Sequence, residues 1–180
     1  MSQERPIPLL SDEDAPPEVR ALFERIRNAI GFVPNLIRLW GNAPHLVETL
    51  VQLEVTVGGS GKVPSYLKEL AMTRVSELNG CPYCKAFHSH NLRELGADDS
   101  KCGALSERHP PPSSLFSEDE LLVIKLADEM TLSVRASDET LWKARQLFGL
   151  DGAVELMATI ALLNFDNRMA FSAGVEPDKR

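Results

Sequence analysis

YLKELAMTRVSELNGCPYCKAFHSHNLRELG fills residues 66–96, and its reading sets the fold class. Apolar residues recur every three or four positions on both sides of Asn79-Gly80, and nothing in the stretch alternates with period two. That spacing predicts one helix from near Pro64 to Leu78 and a second from near Cys81 to Gly96. Asn79-Gly80 is the turn that closes the first. Pro82 suits a first helical position, which leaves Cys81 at the N-cap. Both Cys81 and Cys84 then lie in a first turn, where unpaired backbone N–H groups and the helix dipole favour negative charge. Such a place lowers a thiol pKa and raises the thiolate fraction. Two intervening residues let the sulfurs close into a reversible disulfide.

His88 follows Cys84 by four residues and Cys81 by seven, so the three share a helix face. Leu92 and Leu95 continue that face, so it is expected to point inward, with the imidazole one turn from Cys84. A base there can take a thiol proton or pair with a thiolate. Tyr83 and His90 are expected on the opposite side. Two other readings stay open. The cysteines can be small buried hydrophobes, or zinc ligands, although His88 and His90 diverge on a helix and no distant second ligand pair exists. Cys102 is expected to be a bystander in an irregular segment.

Working outward, the remaining chain is also helical in pattern. Val19, Leu22, Phe23, Ile26 and Ile30 follow Pro16-Pro17 at helical spacing and end at Gly31. Asn42 reads as an N-cap, with Pro44 inside a helix that stops at Gly58-Gly59-Ser60-Gly61. Residues 1–14 read as an extended arm and 101–116, with Pro110-Pro111-Pro112, as an internal loop. Ser117 and Glu120 have capping-box spacing and open a helix through Met130. Another runs from Asp138 to Phe148, and an apolar one starts near Asp151 after Gly149. Trp40 and Trp142 read as packing residues, and Asn164, Asn167 and Arg168 as polar groups serving capping or contacts between subunits. The expectation is an all-α single domain over residues 1–180, with seven to nine helices.

Composition narrows the function. With 180 residues, 43% hydrophobic and 25% charged, the chain can bury a core without disulfides. A net charge of −7 argues against nucleic acid or an anionic membrane surface as partner. No uninterrupted apolar run has the length of a membrane span, and the acidic, proline-bearing MSQERPIPLLSDED does not read as a secretory signal. Three cysteines are too few for a secreted scaffold, and their odd count and close spacing point to metal binding or redox chemistry in a reducing, cytoplasmic compartment.

Glu69, eleven residues, Cys81, two residues, Cys84, three residues and His88 together resemble the pattern of the alkylhydroperoxidase D-like proteins of the carboxymuconolactone decarboxylase superfamily. Val33-Pro34-Asn35, Asn164-Phe165-Asp166-Asn167-Arg168 and Gly174-Val175-Glu176-Pro177 look like its peroxidase-related subgroup, so the resemblance covers roughly residues 10–178. The chain departs from alkylhydroperoxidase D itself in carrying Tyr83 where that protein has a histidine. The resemblance implies an all-α, AhpD-like helical bundle and a homo-oligomer (dimer, trimer or hexamer). It implies a thiol peroxidase or disulfide reductase needing no cofactor and no metal, with a hydroperoxide substrate and a thiol or dithiol electron donor. By the same resemblance Cys84 is the attacking thiol and Cys81 the resolving one, and His88 and Glu69 form a proton relay. Position in the helix alone does not choose between the thiols. Periodicity places Glu69 opposite the stripe Leu67, Leu70, Ala71, Val75 and Leu78, as a surface residue; only the resemblance recruits it. Arg74, on the stripe, is expected to snorkel or to pair with a buried acid. Decarboxylation of a lactone acid, and a non-enzymatic helical module with a structural zinc or cysteine site, are the alternatives.

Overall fold

The turn at Asn79-Gly80 is a helix-ending motif that starts the next helix at once. A computed structural model describes residues 6–106 and 111–179. In it α4 (Ser65–Asn79) ends at Gly80, which takes the left-handed conformation with φ 68°. The Gly80 N–H donates to Glu77 O (3.2 Å) and the Cys81 N–H to Ser76 O (3.3 Å), a Schellman closure. Glycine is needed at this φ because a Cβ there crowds the backbone. Cys81 therefore ends one helix and is the N-cap of the next, α5 (Pro82–Glu94). The hairpin folds α5 back along α4.

Eight α-helices and one short 3₁₀ turn make up the described residues, with no strand among them. α1 (Pro17–Ile30), α2 (Asn35–Trp40) and α3 (Pro44–Gly58) precede the hairpin. After it come α6 (Asp99–Ala104), the 3₁₀ turn Ser113–Leu115, α7 (Glu118–Leu132) and α8 (Asp138–Ser172). The Ser117–Glu120 capping box forms in both directions. Gly149, at φ 77° and ψ 176°, breaks α8 where the sequence predicts a stop.

Four expectations need correction. Residues 99–104 are helical and include Cys102, so the 101–116 loop is shorter than expected; its residues 107–110, with Pro110, lie outside the described residues. The N-cap of α3 is Ala43, and Asn42 instead donates to Pro8 O (2.8 Å) and Leu39 O (3.0 Å), tying the N-terminal arm to α2. Leu95 is exposed at the end of α5. Trp142 is also exposed, with Arg145 over its ring.

α4 is the hub, packed against α5, α7 and α8. Leu70, Ala71 and Val75 are buried on one side and Thr73 and Ser76 on the other. One apolar cluster joins α4 to α7 and α8 through Leu70, Val123, Leu126, Leu156, Ile160 and Leu163. A second joins α1–α3 to Cys81, Tyr83, Cys84 and Ala170. By length and hydropathy α8 is apolar enough to cross a membrane, but Leu156, Ile160 and Leu163 of that helix are taken up by the core.

Buried cations lock the hub. Lys68 donates to Val57 O (2.8 Å) and Gly59 O (2.7 Å) at the end of α3 and pairs with Glu155 of α8. Arg74, fully buried, binds both Asp128 oxygens (2.6 and 3.2 Å) and Leu105 O (2.8 Å); it pairs with an acid, as expected, but a half-buried one, and does not snorkel. Removing one member of such a pair strands the other charge away from water. Arg74→Leu is therefore expected to cost about 3–5 kcal/mol in urea unfolding; a loss below about 1 kcal/mol, the range of an exposed pair, contradicts this role.

Candidate active site

The dithiol lies where the two apolar clusters meet. Cys81 Sγ and Cys84 Sγ are 2.6 Å apart, and the Cys84 backbone N–H donates to Cys81 Sγ at 3.3 Å. Both residues are buried, Cys81 fully and Cys84 to 2% exposure. A thiol donating to the first sulfur, with the Cys84 and Tyr83 N–H groups and the nearby His88, lowers Cys81 to about 7. Accepting that role as donor, together with burial, raises Cys84. The sulfurs thus hold one proton between them, with the charge resting on the N-cap sulfur. The Asn167 side chain stands beside Cys84 Sγ and favours its thiolate form.

Glu69 lies against the cysteine helix. Its Oε2 is 2.8 Å from His88 Nδ1, and Asn91 Nδ2 donates to Oε1 at 3.1 Å. This corrects the periodicity reading. The side of α4 that looks polar is covered by α5, so Glu69 faces a protein neighbour and its side chain is only 14% exposed. A carboxylate on Nδ1 fixes that nitrogen as the donor and leaves Nε2 as the basic one.

A cavity of about 190 Å³ opens beside the dithiol. Cys84 and His88 border it, while Cys81 does not. Ile30, Pro34, Leu36, Ile37, Trp40, Phe87 and Leu163 give it apolar walls. Access therefore distinguishes the thiols where position in the helix did not. A larger surface groove of about 690 Å³ between α7 and α8 carries no thiol and no histidine.

Tyr83 corrects a second expectation. It also borders the thiol cavity, where it is buried, and its hydroxyl bonds to Asp178; burial raises its pKa. His90 stays on the far side, in a separate recess with Ala86 and Asp178. Asn164 and Asn167 both accept from Asn79 Nδ2, at 3.0 and 2.9 Å. They hold the last residue of α4 within the chain. Cys102 is buried on α6, away from the pair, and burial raises its pKa.

Two cavity residues escaped the sequence reading. Glu54 of α3 and Asp166 of α8 share a carboxyl–carboxyl hydrogen bond. Burial, then the charge of Glu54, pushes Asp166 up to about 9, and burial raises Glu54 as well. A signal existed: Glu54 falls three and seven residues after the buried Val51 and Val47, and Asp166 three after the buried Leu163. Each is an acid on an apolar stripe. Among the described residues no group of three or more His, Cys, Asp or Glu is arranged to hold a metal ion.

Residues 44–107 match the model of the Carboxymuconolactone decarboxylase family. The uncharacterized protein YdfG of Bacillus subtilis (strain 168) is 28% identical over 109 residues, 59% of this chain and 73% of its own. Among solved structures, the debrominase Bmp8 in its apo form superposes with a TM-score of 0.80 at 24% identity, over 98% of this chain and 94% of Bmp8. Bmp8 has also been solved as a cysteine-to-alanine variant in complex with 2,3,4-tribromopyrrole. An uncharacterized peroxidase-related protein of Ralstonia eutropha JMP134, an alkylhydroperoxidase AhpD core, gives a TM-score of 0.79 at 18% identity, over 98% and 95% of the two chains.

A thiol that loses its proton near 7 gains thiolate absorbance as pH rises through that value and levels off above it. Thiolate absorbance at 240 nm of the reduced protein, which needs no access to the buried sulfur, is expected to show a midpoint near pH 7. A single midpoint near 8.5, the value of an ordinary thiol, contradicts the hydrogen-bonded pair.

Proposed function

We propose that this chain, which carries a carboxymuconolactone decarboxylase family domain on the AhpD-like helical fold, is a thiol-dependent peroxidase or disulfide reductase. The observation that supports the reading best is the dithiol at the start of α5, with sulfurs 2.6 Å apart and Cys84 alone of the two bordering a cavity. Its members then have distinct tasks. Cys84 meets the substrate and attacks an O–O or S–S bond. Cys81, favoured as thiolate by the Cys84 thiol and by the backbone N–H groups of the helix start, resolves the product into a Cys81–Cys84 disulfide. The proton the two sulfurs share leaves through His88 Nε2, while Glu69 orients the ring at Nδ1 and stabilises its cation. An external thiol or dithiol restores the pair by exchange.

The apolar walls and the Bmp8 likeness favour a second reading, reductive dehalogenation of a small halogenated heteroaromatic by the same thiols. Bromide release from 2,3,4-tribromopyrrole by the reduced protein distinguishes it from peroxide reduction. Lactone decarboxylation does not need the cysteines, so turnover of a carboxymuconolactone after both thiols are alkylated is the result that favours it.

Stopped-flow consumption of cumene hydroperoxide by the reduced protein tests the leading reading. Cys84→Ser is expected to abolish it, at least a thousandfold. Cys81→Ser is expected to permit about one turnover and then stall. Equal rates in wild type and both variants contradict the assignment.

A further inference from the structure

The relay through His88 and Glu69 takes one proton from the thiols and can return that one, but two groups depart as the dithiol is oxidised and the first still needs a proton. Peroxides and unactivated disulfides leave as strong bases, so the site needs an acid on the far side of the substrate. The Glu54–Asp166 pair lies on the wall of the same cavity as Cys84 and His88, brought there by α3 and α8 while the thiols and the imidazole come from α5. Asp166 is 4% exposed. Glu54 and Asp166 have each other's carboxyl as partner, whereas Trp40 Nε1 on the same wall is buried without a hydrogen-bond partner among the described residues. Buried polar atoms are almost always satisfied. A carboxyl pair and an unpartnered indole N–H on one apolar cavity wall, beside a reactive thiol, place both a proton source and a free donor where a bound molecule would lie.

We propose that the Glu54–Asp166 carboxyl pair is the general acid of this site, protonating the group that leaves when Cys84 attacks a small apolar hydroperoxide or disulfide. The assignment rests on the thiol reading above and adds to it the source of the second proton. Two carboxyls in contact in an apolar place cannot both ionise, so they keep one proton between them. Burial and the partner's charge carry that proton through neutral pH, with Asp166 held up to about 9. The titratable groups that act on the pair are Cys81, Cys84 and His88 of α5. The Cys81 thiolate favours retention of the carboxyl proton, and a cationic His88 opposes it.

The steps balance with the groups named. His88 takes the proton shared by the sulfurs. The Cys84 thiolate attacks the terminal oxygen of ROOH: the S–O bond forms, the O–O bond breaks, and RO⁻ takes the carboxyl-pair proton to leave as ROH. The Cys81 thiolate then attacks the Cys84 sulfenic sulfur: the S–S bond forms, the S–O bond breaks, and hydroxide takes the His88 proton to leave as water. The dithiol is oxidised by two electrons and the peroxide reduced by two. The carboxyl pair regains its proton from solvent. With a disulfide RSSR in place of ROOH, the first RS⁻ takes the carboxyl proton and the second the His88 proton.

Two reagents that deliver the same methylthio group test the assignment. Dimethyl disulfide expels methanethiolate, a strong base, whereas methyl methanethiosulfonate expels methanesulfinate, which needs no proton. Quenched-flow mass spectrometry gives the rate of Cys84 capture by each. In Asp166→Asn, and separately in Glu54→Gln, the rate ratio of methanethiosulfonate to disulfide is expected to rise at least tenfold over wild type. An unchanged ratio in both variants overturns the proposal, because damage to structure alone slows both reagents alike. Infrared titration of the wild-type protein needs no variant. A protonated-carboxyl band at pH 7.5 that fades near pH 9 supports the pair, and its absence at pH 7.5 overturns it. A ratio that rises in the variants, together with the band in a wild type that leaves hydroperoxides untouched, refutes the peroxidase reading and supports the acid.

Discussion

The left-handed turn at Gly80 is the constraint on which the site depends. It makes one residue, Cys81, serve both as the end of α4 and as the start of α5. Everything chemical follows from that double duty. Both sulfurs fall in a first turn, where the backbone donates to Cys81 Sγ. The chain reverses tightly enough that α5 lies along α4, and His88 meets Glu69 across the hairpin at 2.8 Å. A non-glycine residue at that φ strains the backbone, so the turn couples the electrostatics of the dithiol to a single backbone angle.

Around the hairpin, burial divides the ionisable groups by what they are given as partners. Arg74 and Lys68 lie in the hub, but each is met by a carboxylate and by backbone carbonyls, and they hold helices together. Glu54 and Asp166 are met by each other. Placing two acids side by side costs stability at neutral pH, since the native pair favours a proton that the unfolded carboxyls have released. That cost is the usual mark of a working site rather than a structural one. The site is thus asymmetric: a proton acceptor held by Glu69 on one side, a proton-holding carboxyl pair on another, and Cys84 between two kinds of proton chemistry on the cavity wall.

Much of this was legible in the chain and some was not, for physical reasons. The long helices announced themselves through period and caps, as at Ser117–Glu120 and Gly149. The six-residue helices α2 and α6 span under two turns, too few for a periodic stripe. Cys81, Cys84 and His88 are close in sequence, so spacing alone placed them on one face. Glu69 was not legible from period, because α4 is covered on several sides and its polar-looking face is an interior one; a pattern match recruited it. Tyr83 was misplaced for the same reason, since the start of α5 is buried around most of its circumference. Glu54 and Asp166 come from different helices more than a hundred residues apart, and no single-helix pattern joins them. Their mark, an acid on an apolar stripe, is readable only one at a time.

What separates a working dithiol from a structural one is its redox poise. A pair stabilised as thiolate at a helix start is more oxidising than a structural disulfide, because its reduced form is favoured. The reduction potential of Cys81/Cys84 in the full chain, measured by equilibration with thiol–disulfide buffers and mass spectrometry, tests this most directly. A value of about −180 to −270 mV, the range of thiol–disulfide catalysts, is expected. A value below about −300 mV, or no Cys81–Cys84 disulfide at any poise, contradicts it.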